Sequence, residues 1–309
     1  MSAIAVVMAT YNGEKYIAEQ IDSVLASGFQ DFEIFIYDDG SKDSTLSILK
    51  EYEQRFPEKL HIVQNEVNLG VTMNFLNALS RTTADYVMFS DQDDVWMKNK
   101  LGLTLKRMRH MEAQLGKNTP VAVFTDAEVV DRDLNTINSS FFASGHLNPG
   151  RTDLAHMLME NKLIGCTVMV NAALRKVLQG STLPKQARYH DWWIGLIAAS
   201  FGKIGFVKES TLYYRQHGDN VVGDTGFLAY LMNRITKLYL QKEALQELYR
   251  QAEEFLALYG NQLSSENKEI IMNFVHLPKA NFLHRRLALL HYGYLKTGIV
   301  RNIGIFIII

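Results

Sequence analysis

The sequence predicts an α/β protein with a Rossmann-like sheet and a helical C-terminal extension. Three observations carry that expectation. Short apolar segments alternate with helical patterns up to about residue 135, polar and acidic residues follow the apolar segments directly, and the chain after Thr225 keeps only helical spacing. The apolar runs Ile4–Ala9, Glu33–Tyr37, Leu60–Gln64, Tyr86–Ser90 and Val121–Thr125 are short and rich in Val, Ile, Phe and Tyr, as buried strands are. Between them, Tyr16–Leu25, Ser44–Tyr52, Thr72–Leu79 and Lys100–Glu112 read as helices; in the first, Ile17, Ile21, Val24 and Leu25 share one face. Asp43 or Ser44 is placed to cap the second. Regular strand–helix alternation predicts a parallel sheet covered on both faces, with ligands beyond the carboxyl ends of its strands.

From about 136 to 220 the pattern is mixed. A strand is expected at Cys166–Val170, a helix near Asp191–Ala199, and strands around Ile204–Val207 and Thr211–Arg215. The stripe Leu231, Ile235, Leu238, Leu245, Tyr249, Ala252 and Leu256 then reads as helix–helix contact. This divides the chain into 1–223, with a first half to about 135 and a second half from about 136, and a helical region 224–309.

Composition narrows the function. With 309 residues, 47% of them hydrophobic, the chain has material for a full core. Its 32 basic and 33 acidic residues leave a net charge of −1, which argues against a general nucleic-acid binder. A single cysteine, Cys166, fits a reducing, cytoplasmic compartment and reads as core within its apolar strand. Neither a signal peptide nor a spanning segment is read at Ala3–Ala9, which is too short to cross a bilayer. Between Ile270 and Ile309 lie five basic residues and no acidic one, and the chain finishes on Ile303-Gly304-Ile305-Phe306-Ile307-Ile308-Ile309. That stretch suits either an anionic membrane surface, at the inner face of the plasma membrane, or a helical hairpin packed on the main domain.

The chemistry-bearing residues sit at three strand ends: Thr10-Tyr11-Asn12-Gly13, Asp38-Asp39-Gly40-Ser41, and Asp91-Gln92-Asp93-Asp94. Five carboxylates on neighbouring strand ends repel one another unless a cation or hydrogen-bond donors compensate. Oxygen ligands favour Mg²⁺ or Mn²⁺, and no Cys/His set has zinc spacing.

On these strings, together with Asn68-Leu69-Gly70, the chain resembles the inverting family-2 glycosyltransferases, whose nucleotide-binding fold is of the GT-A type. The resemblance covers roughly residues 3 to 220. It implies a nucleotide-diphosphate sugar donor, with Thr10, Tyr11 and Asn12 lining base and ribose and Asp39 accepting a hydrogen bond from a pyrimidine. Asn68 and Gly70 complete the nucleotide set, Asp91 points towards the ribose and Asp93 holds the metal. Tyr189-His190-Asp191-Trp192-Trp193 then supplies the second half of the site. Asp191 matches the family's base, although His190 stands where an acidic residue is common. Trp192 and Trp193 are placed to stack on an acceptor sugar, with core packing the competing reading for both. Arg215 and His217 follow a strand and are candidates for the diphosphate and the metal.

Asp91-Gln92-Asp93-Asp94-Val95-Trp96 with His190-Asp191-Trp192-Trp193 is similar to the bacterial rhamnosyltransferase branch, which implies dTDP-L-rhamnose as donor and a saccharide or lipid-linked saccharide as acceptor. A UDP-hexose donor is the alternative. A sugar nucleotidyltransferase is disfavoured because Thr10–Lys15 lacks a Gly-rich phosphate loop, and no G-x-G-x-x-G turn marks a dehydrogenase.

Overall fold

The computed structural model describes residues 3–216 and 238–309. His217, Leu231 and Ile235 lie outside the described residues. The first half runs β1 (Ile4–Thr10), α1 (Ile17–Leu25), β2 (Phe32–Asp38), α2 (Thr45–Arg55), β3 (Leu60–Gln64), α3 (Val71–Arg81), β4 (Tyr86–Ser90), β5 (Val95–Trp96), α4 (Lys100–Leu115) and β6 (Val121–Val130). Then follow β7 (Thr136–Asn138), α5 (Phe141–Ser144), α6 (Leu154–Met159), a 3-10 turn at Gly165–Thr167, β8 (Met169–Asn171), α7 (Ala172–Gln179), α8 (His190–Phe201) and β9 (Lys203–Arg215). Four C-terminal helices, α9 (Leu238–Tyr259), α10 (Ser265–His276), α11 (Phe282–Tyr292) and α12 (Ile299–Ile308), complete the described chain.

The sheet order is β3-β2-β1-β4-β8-β6-β9-β5, with β7 alongside β6. β3, β2, β1 and β4 are mutually parallel, as the alternation predicts. Beyond β4 the expectation of a parallel sheet fails. β8 pairs antiparallel with both β4 and β6, and β5 runs antiparallel to β9. The strand expected at Cys166–Val170 is split: Cys166 sits in the 3-10 turn and only Met169–Asn171 joins the sheet. The two expected strands 204–207 and 211–215 are one, β9, whose pairing with β6 shifts register near Asp126.

All seven residues of β1 are buried, which is why the segment reads as continuously apolar. Thr10 pairs with Asp38 and Met8 with Ser90, so three strand ends finish on one edge of the sheet. Strand order turns between β1 and β4, the place where open α/β sheets leave a crevice. On α1 the expected stripe is buried at Ile17, Ile21 and Val24. On α2 the cap is Asp43, whose Oδ1 accepts from Thr45 N at 3.0 Å; Ser44 makes no side-chain cap. α8 is buried on nearly every side, and its apolar residues join the same core as Tyr259 and Phe274 of the C-terminal helices.

Candidate active site

Each strand end is stiffened by side chains that cross-link the loops. Asn12, at φ 50°, takes the left-handed conformation that asparagine tolerates better than most residues. Its N–H donates to Ser41 Oγ at 2.9 Å and its Oδ1 accepts from Lys42 N at 2.9 Å, so it ties the first loop to the second. Asp38 is internal to that second loop, accepting from Gly40 N and Ser41 N at 3.1 and 3.0 Å. Gln92 ties the third loop to the first: its Oε1 accepts from Thr10 Oγ1 at 2.7 Å and from Tyr11 N at 2.9 Å.

Asp39 organises the Asn68-Leu69-Gly70 loop. Its Oδ1 accepts from Asn65 Nδ2 and Leu69 N at 2.8 Å, and its Oδ2 accepts from Gly70 N at 2.8 Å. Asn68 Nδ2 returns the contact to Asp39 O at 2.9 Å. Gly70 adopts φ +75°, a backbone conformation that costs glycine little and other residues much.

These loops form one wall of a cavity of about 830 Å³. Thr10, Tyr11, Asp39, Asn68, Gly70, Asp91 and Asp93 all line it, and so do His190, Asp191 and Trp192 at the start of α8. Asn12 braces the loops rather than lining the cavity.

The acidic centre is electrostatically loaded. Burial and the neighbouring charges of Asp94, Asp93 and Asp191 push the Asp91 carboxyl well above its usual range. Burial, then Asp93, pushes Asp94 up to about 7. Beneath them Lys100 is fully buried, donates to Cys166 O at 2.8 Å and is held down to about 8 by burial. Asp91, Asp94 and Cys166 could bring ligand atoms within 4.8 Å of one another. That triple is a poor seat for a hard cation, because burial raises the Cys166 thiol and keeps it protonated. Asp94 also accepts from Arg215 N at 3.1 Å. Of the carboxylates in the Asp91–Asp94 loop, Asp91 and Asp93 reach the cavity wall, and hard oxygen donors of this kind fit Mg²⁺ or Mn²⁺. Binding a cation there would relieve the mutual repulsion of the carboxylates.

Arg215 is not on the cavity wall. It is buried, with Nε donating to Asp93 O at 2.8 Å, Nη1 donating to Arg132 O, and Nη2 paired with Glu19. Its ring neighbour is Tyr16, at 4.9 Å. Arg215 therefore fixes the backbone of the Asp91–Asp94 loop from behind.

Asp191 occupies the first turn of α8, not the cap position, and its Oδ1 accepts from Trp192 N at 2.7 Å. Burial pushes its carboxyl up to about 6. His190 stacks on Phe75 at 4.1 Å between ring centroids and is held down to about 3 by burial, so it stays neutral. Its Nε2 has no partner among the described residues and the residue lines the cavity. The two tryptophans part company. Trp192 lines the cavity and anchors its indole N–H on Met157 O at 2.6 Å. Trp193 is fully buried against Phe255, at 5.2 Å, and Tyr259. Trp193→Ala is therefore expected to cost about 3–5 kcal/mol of stability and leave the KM for the acceptor sugar unchanged. Thermal unfolding and transfer kinetics check the two halves; a raised acceptor KM in a variant that stays folded would return Trp193 to the site.

Part of the wall was not legible. Glu160, Asn161 and Lys162, the apolar Phe141, Phe142 and Leu147, and Lys296 from the C-terminal region all face the cavity. Glu160 pairs with Lys162 and accepts from Thr297 N at 2.8 Å, which fastens the α11–α12 connection to the rim.

The family model described as "Glycosyl transferase family 2" matches residues 5–176. The dTDP-rhamnosyl transferase RfbG of Shigella flexneri is 27% identical over 223 residues, covering 70% of this chain and 73% of that one. The putative teichuronic acid biosynthesis glycosyltransferase TuaG of Bacillus subtilis is 29% identical over 215 residues, covering 69% and 78%. Among solved structures, S. aureus TarS 1-349 in complex with UDP-GlcNAc superposes with a TM-score of 0.59 at 19% identity, covering 94% of this chain and 80% of that one.

Proposed function

The chain belongs to glycosyl transferase family 2, and from that premise we propose that it moves L-rhamnose from dTDP-L-rhamnose onto a saccharide or lipid-linked saccharide of a bacterial surface polysaccharide. That it is a glycosyltransferase follows from the family. The donor is suggested by the likeness to a dTDP-rhamnosyl transferase, and the polysaccharide by the likeness to a teichuronic acid biosynthesis enzyme. The observation that carries the reading is one cavity lined jointly by Asp39, Asn68 and Gly70, by Asp91 and Asp93, and by Asp191 and Trp192.

In this reading Thr10, Tyr11 and Asp39 hold the pyrimidine nucleotide with Asp91 towards the ribose, and Asp93 would hold Mg²⁺ or Mn²⁺. Such an ion supplies charge stabilisation for a departing diphosphate. Asp191 is the general base. With its carboxyl near 6 it is mostly ionised at pH 7 yet basic enough to draw a proton from the acceptor hydroxyl. The acceptor oxygen forms its bond to the anomeric carbon as the carbon–oxygen bond to the diphosphate breaks on the opposite face. The centre inverts, and the nucleoside diphosphate leaves with the electron pair. Trp192 offers an apolar face to a sugar ring.

A UDP-hexose donor is the second reading, since the resemblance assigns Asp39 to a feature that uracil and thymine share. Release of nucleoside diphosphate from dTDP-L-rhamnose, UDP-glucose, UDP-galactose and UDP-GlcNAc, with Mg²⁺, separates them. We expect dTDP-L-rhamnose to be turned over at least ~10-fold faster than the others. Preference for a UDP-hexose replaces the rhamnose assignment, and turnover of none overturns the site assignment.

A further inference from the structure

We propose that α11 and α12 form a docking surface for an anionic lipid bilayer. Among the described residues, both helices pack on the protein through one side: Ala288 and Leu289 are buried in the first, and Ile305 and Ile308 in the second. The opposite sides carry large apolar residues in solvent at helical spacing. These are Leu283, Leu287 and Leu290 on α11, and Ile299, Ile303 and Ile307 on α12, all more than half exposed. Scattered exposed aliphatics need no explanation, but two regular stripes on consecutive helices do.

Charge chooses the occupant. No carboxylate side chain occurs between Ile270 and Ile309, whereas Lys279 is exposed and Arg286 is partly so beside the α11 stripe; Arg285 turns the other way, its Nε buried on the packed side. Arg301 is not part of this set, because it donates to Gly145 O at 2.7 Å and pairs with Glu160. Apolar stripes on a segment that carries cations and no acidic side chain of its own match the interfacial zone of an anionic membrane. With 11 and 10 residues, the helices are too short to span a bilayer and would lie in its plane.

The connection between these helices reaches the cavity: Lys296 lines it, and Thr297 accepts from Lys162 Nζ at 2.6 Å. A chain seated on lipid through α11 and α12 thus brings its acceptor cavity to the membrane. That last step rests on the proposed lipid-linked acceptor; the docking surface does not. The packed-hairpin expectation holds for one face of each helix, and the exposed opposite face is the ground for the membrane reading proposed here. Deleting residues after about 280 would also strip out the buried Tyr294, so point substitutions are the better probe.

The test is co-sedimentation of the full chain with vesicles of phosphatidylcholine alone or with about 30 mol % phosphatidylglycerol. Partition onto the anionic vesicles should be at least ~10-fold stronger than onto the neutral ones, and should fall in high salt. Leu287→Gln/Ile303→Gln should lose it by ~10-fold or more while still binding dTDP or UDP, which reports the transferase site separately. Lys279→Gln/Arg286→Gln, which keeps both stripes, should weaken only the anionic preference and covers the case in which the first pair fails to fold. Equal binding to both vesicles, undiminished binding by the variants, or no binding at all would overturn the proposal. So would a dimer in sedimentation velocity that the first pair converts to monomer, because a second copy would then cover the face.

Discussion

Replacing Asp191 with asparagine is expected to slow sugar transfer on the order of 10³-fold while leaving nucleotide affinity within about 2-fold of wild type. An amide fills the same space and can still accept from Trp192 N, so α8 keeps its first turn. What is lost is the group that takes the acceptor proton. Single-turnover transfer and nucleotide titration measure the two halves separately. Near-normal transfer would move the base elsewhere.

The same substitution has a consequence for stability. Burial raises Asp191 to about 6, so between roughly pH 4 and pH 6 the folded chain holds a proton that the unfolded chain has released. The stability from that proton is fully present below the unfolded value and is lost as pH rises through about 6. At pH 7 the ionised carboxylate therefore burdens the metal-free fold by up to about 2–3 kcal/mol. Asp191→Asn should melt above wild type at pH 7, and the gap should close near pH 4. Activity has the opposite sign: the wild-type rate should fall as pH drops through about 6, because the base becomes protonated. An asparagine variant less stable than wild type at pH 7 would show that the carboxylate is favourably bound instead.

Asp93→Ala is the second large effect. With Asp93 gone, Asp91 alone remains as a carboxylate on that part of the wall, with Asp94 engaged by Arg215 N. Transfer should drop by ~10³-fold or more, and the share of nucleotide affinity that depends on Mg²⁺ or Mn²⁺ should disappear. In EDTA the variant and the wild type should bind alike. The backbone of the loop stays held, because Arg215 grips Asp93 through its carbonyl rather than its side chain.

The parts of this site that can be read in the sequence are those in which chemistry is contiguous along the chain. A buried strand followed at once by Asp38-Asp39 or Asp91-Gln92-Asp93-Asp94 announces both its place in a parallel sheet and its polar end. What escapes is whatever depends on distant partners. Arg215 reads as a phosphate ligand because a basic residue at a strand end commonly is one, yet its guanidinium is engaged by Glu19, Asp93 and Arg132. Trp192 and Trp193 are both read as acceptor platforms, core packing weighing more against Trp193, and since successive helical residues point about 100° apart, one faces the cavity and the other the core. β8 is three residues long, too short to show a period, and its antiparallel insertion turns the expected parallel sheet into a mixed one. Cys166 is buried as its apolar surroundings suggest, but its place beside Asp91 and Asp94 is set by a turn that the pattern does not mark. Lys296 joins the cavity from a region whose spacing shows only that it is helical and amphipathic.

The central claim is that Asp39, Asp91 and Asp93 form a metal-dependent nucleotide-diphosphate site. Calorimetric titration of dTDP and UDP into wild type and Asp93→Ala, with Mg²⁺, Mn²⁺ or EDTA, tests it most directly. The expected result is tight binding by the wild type with metal, stronger for dTDP, that weakens ~10-fold or more in EDTA and in the variant. Equal binding with and without metal, or no binding of either nucleotide by the wild type, would contradict it.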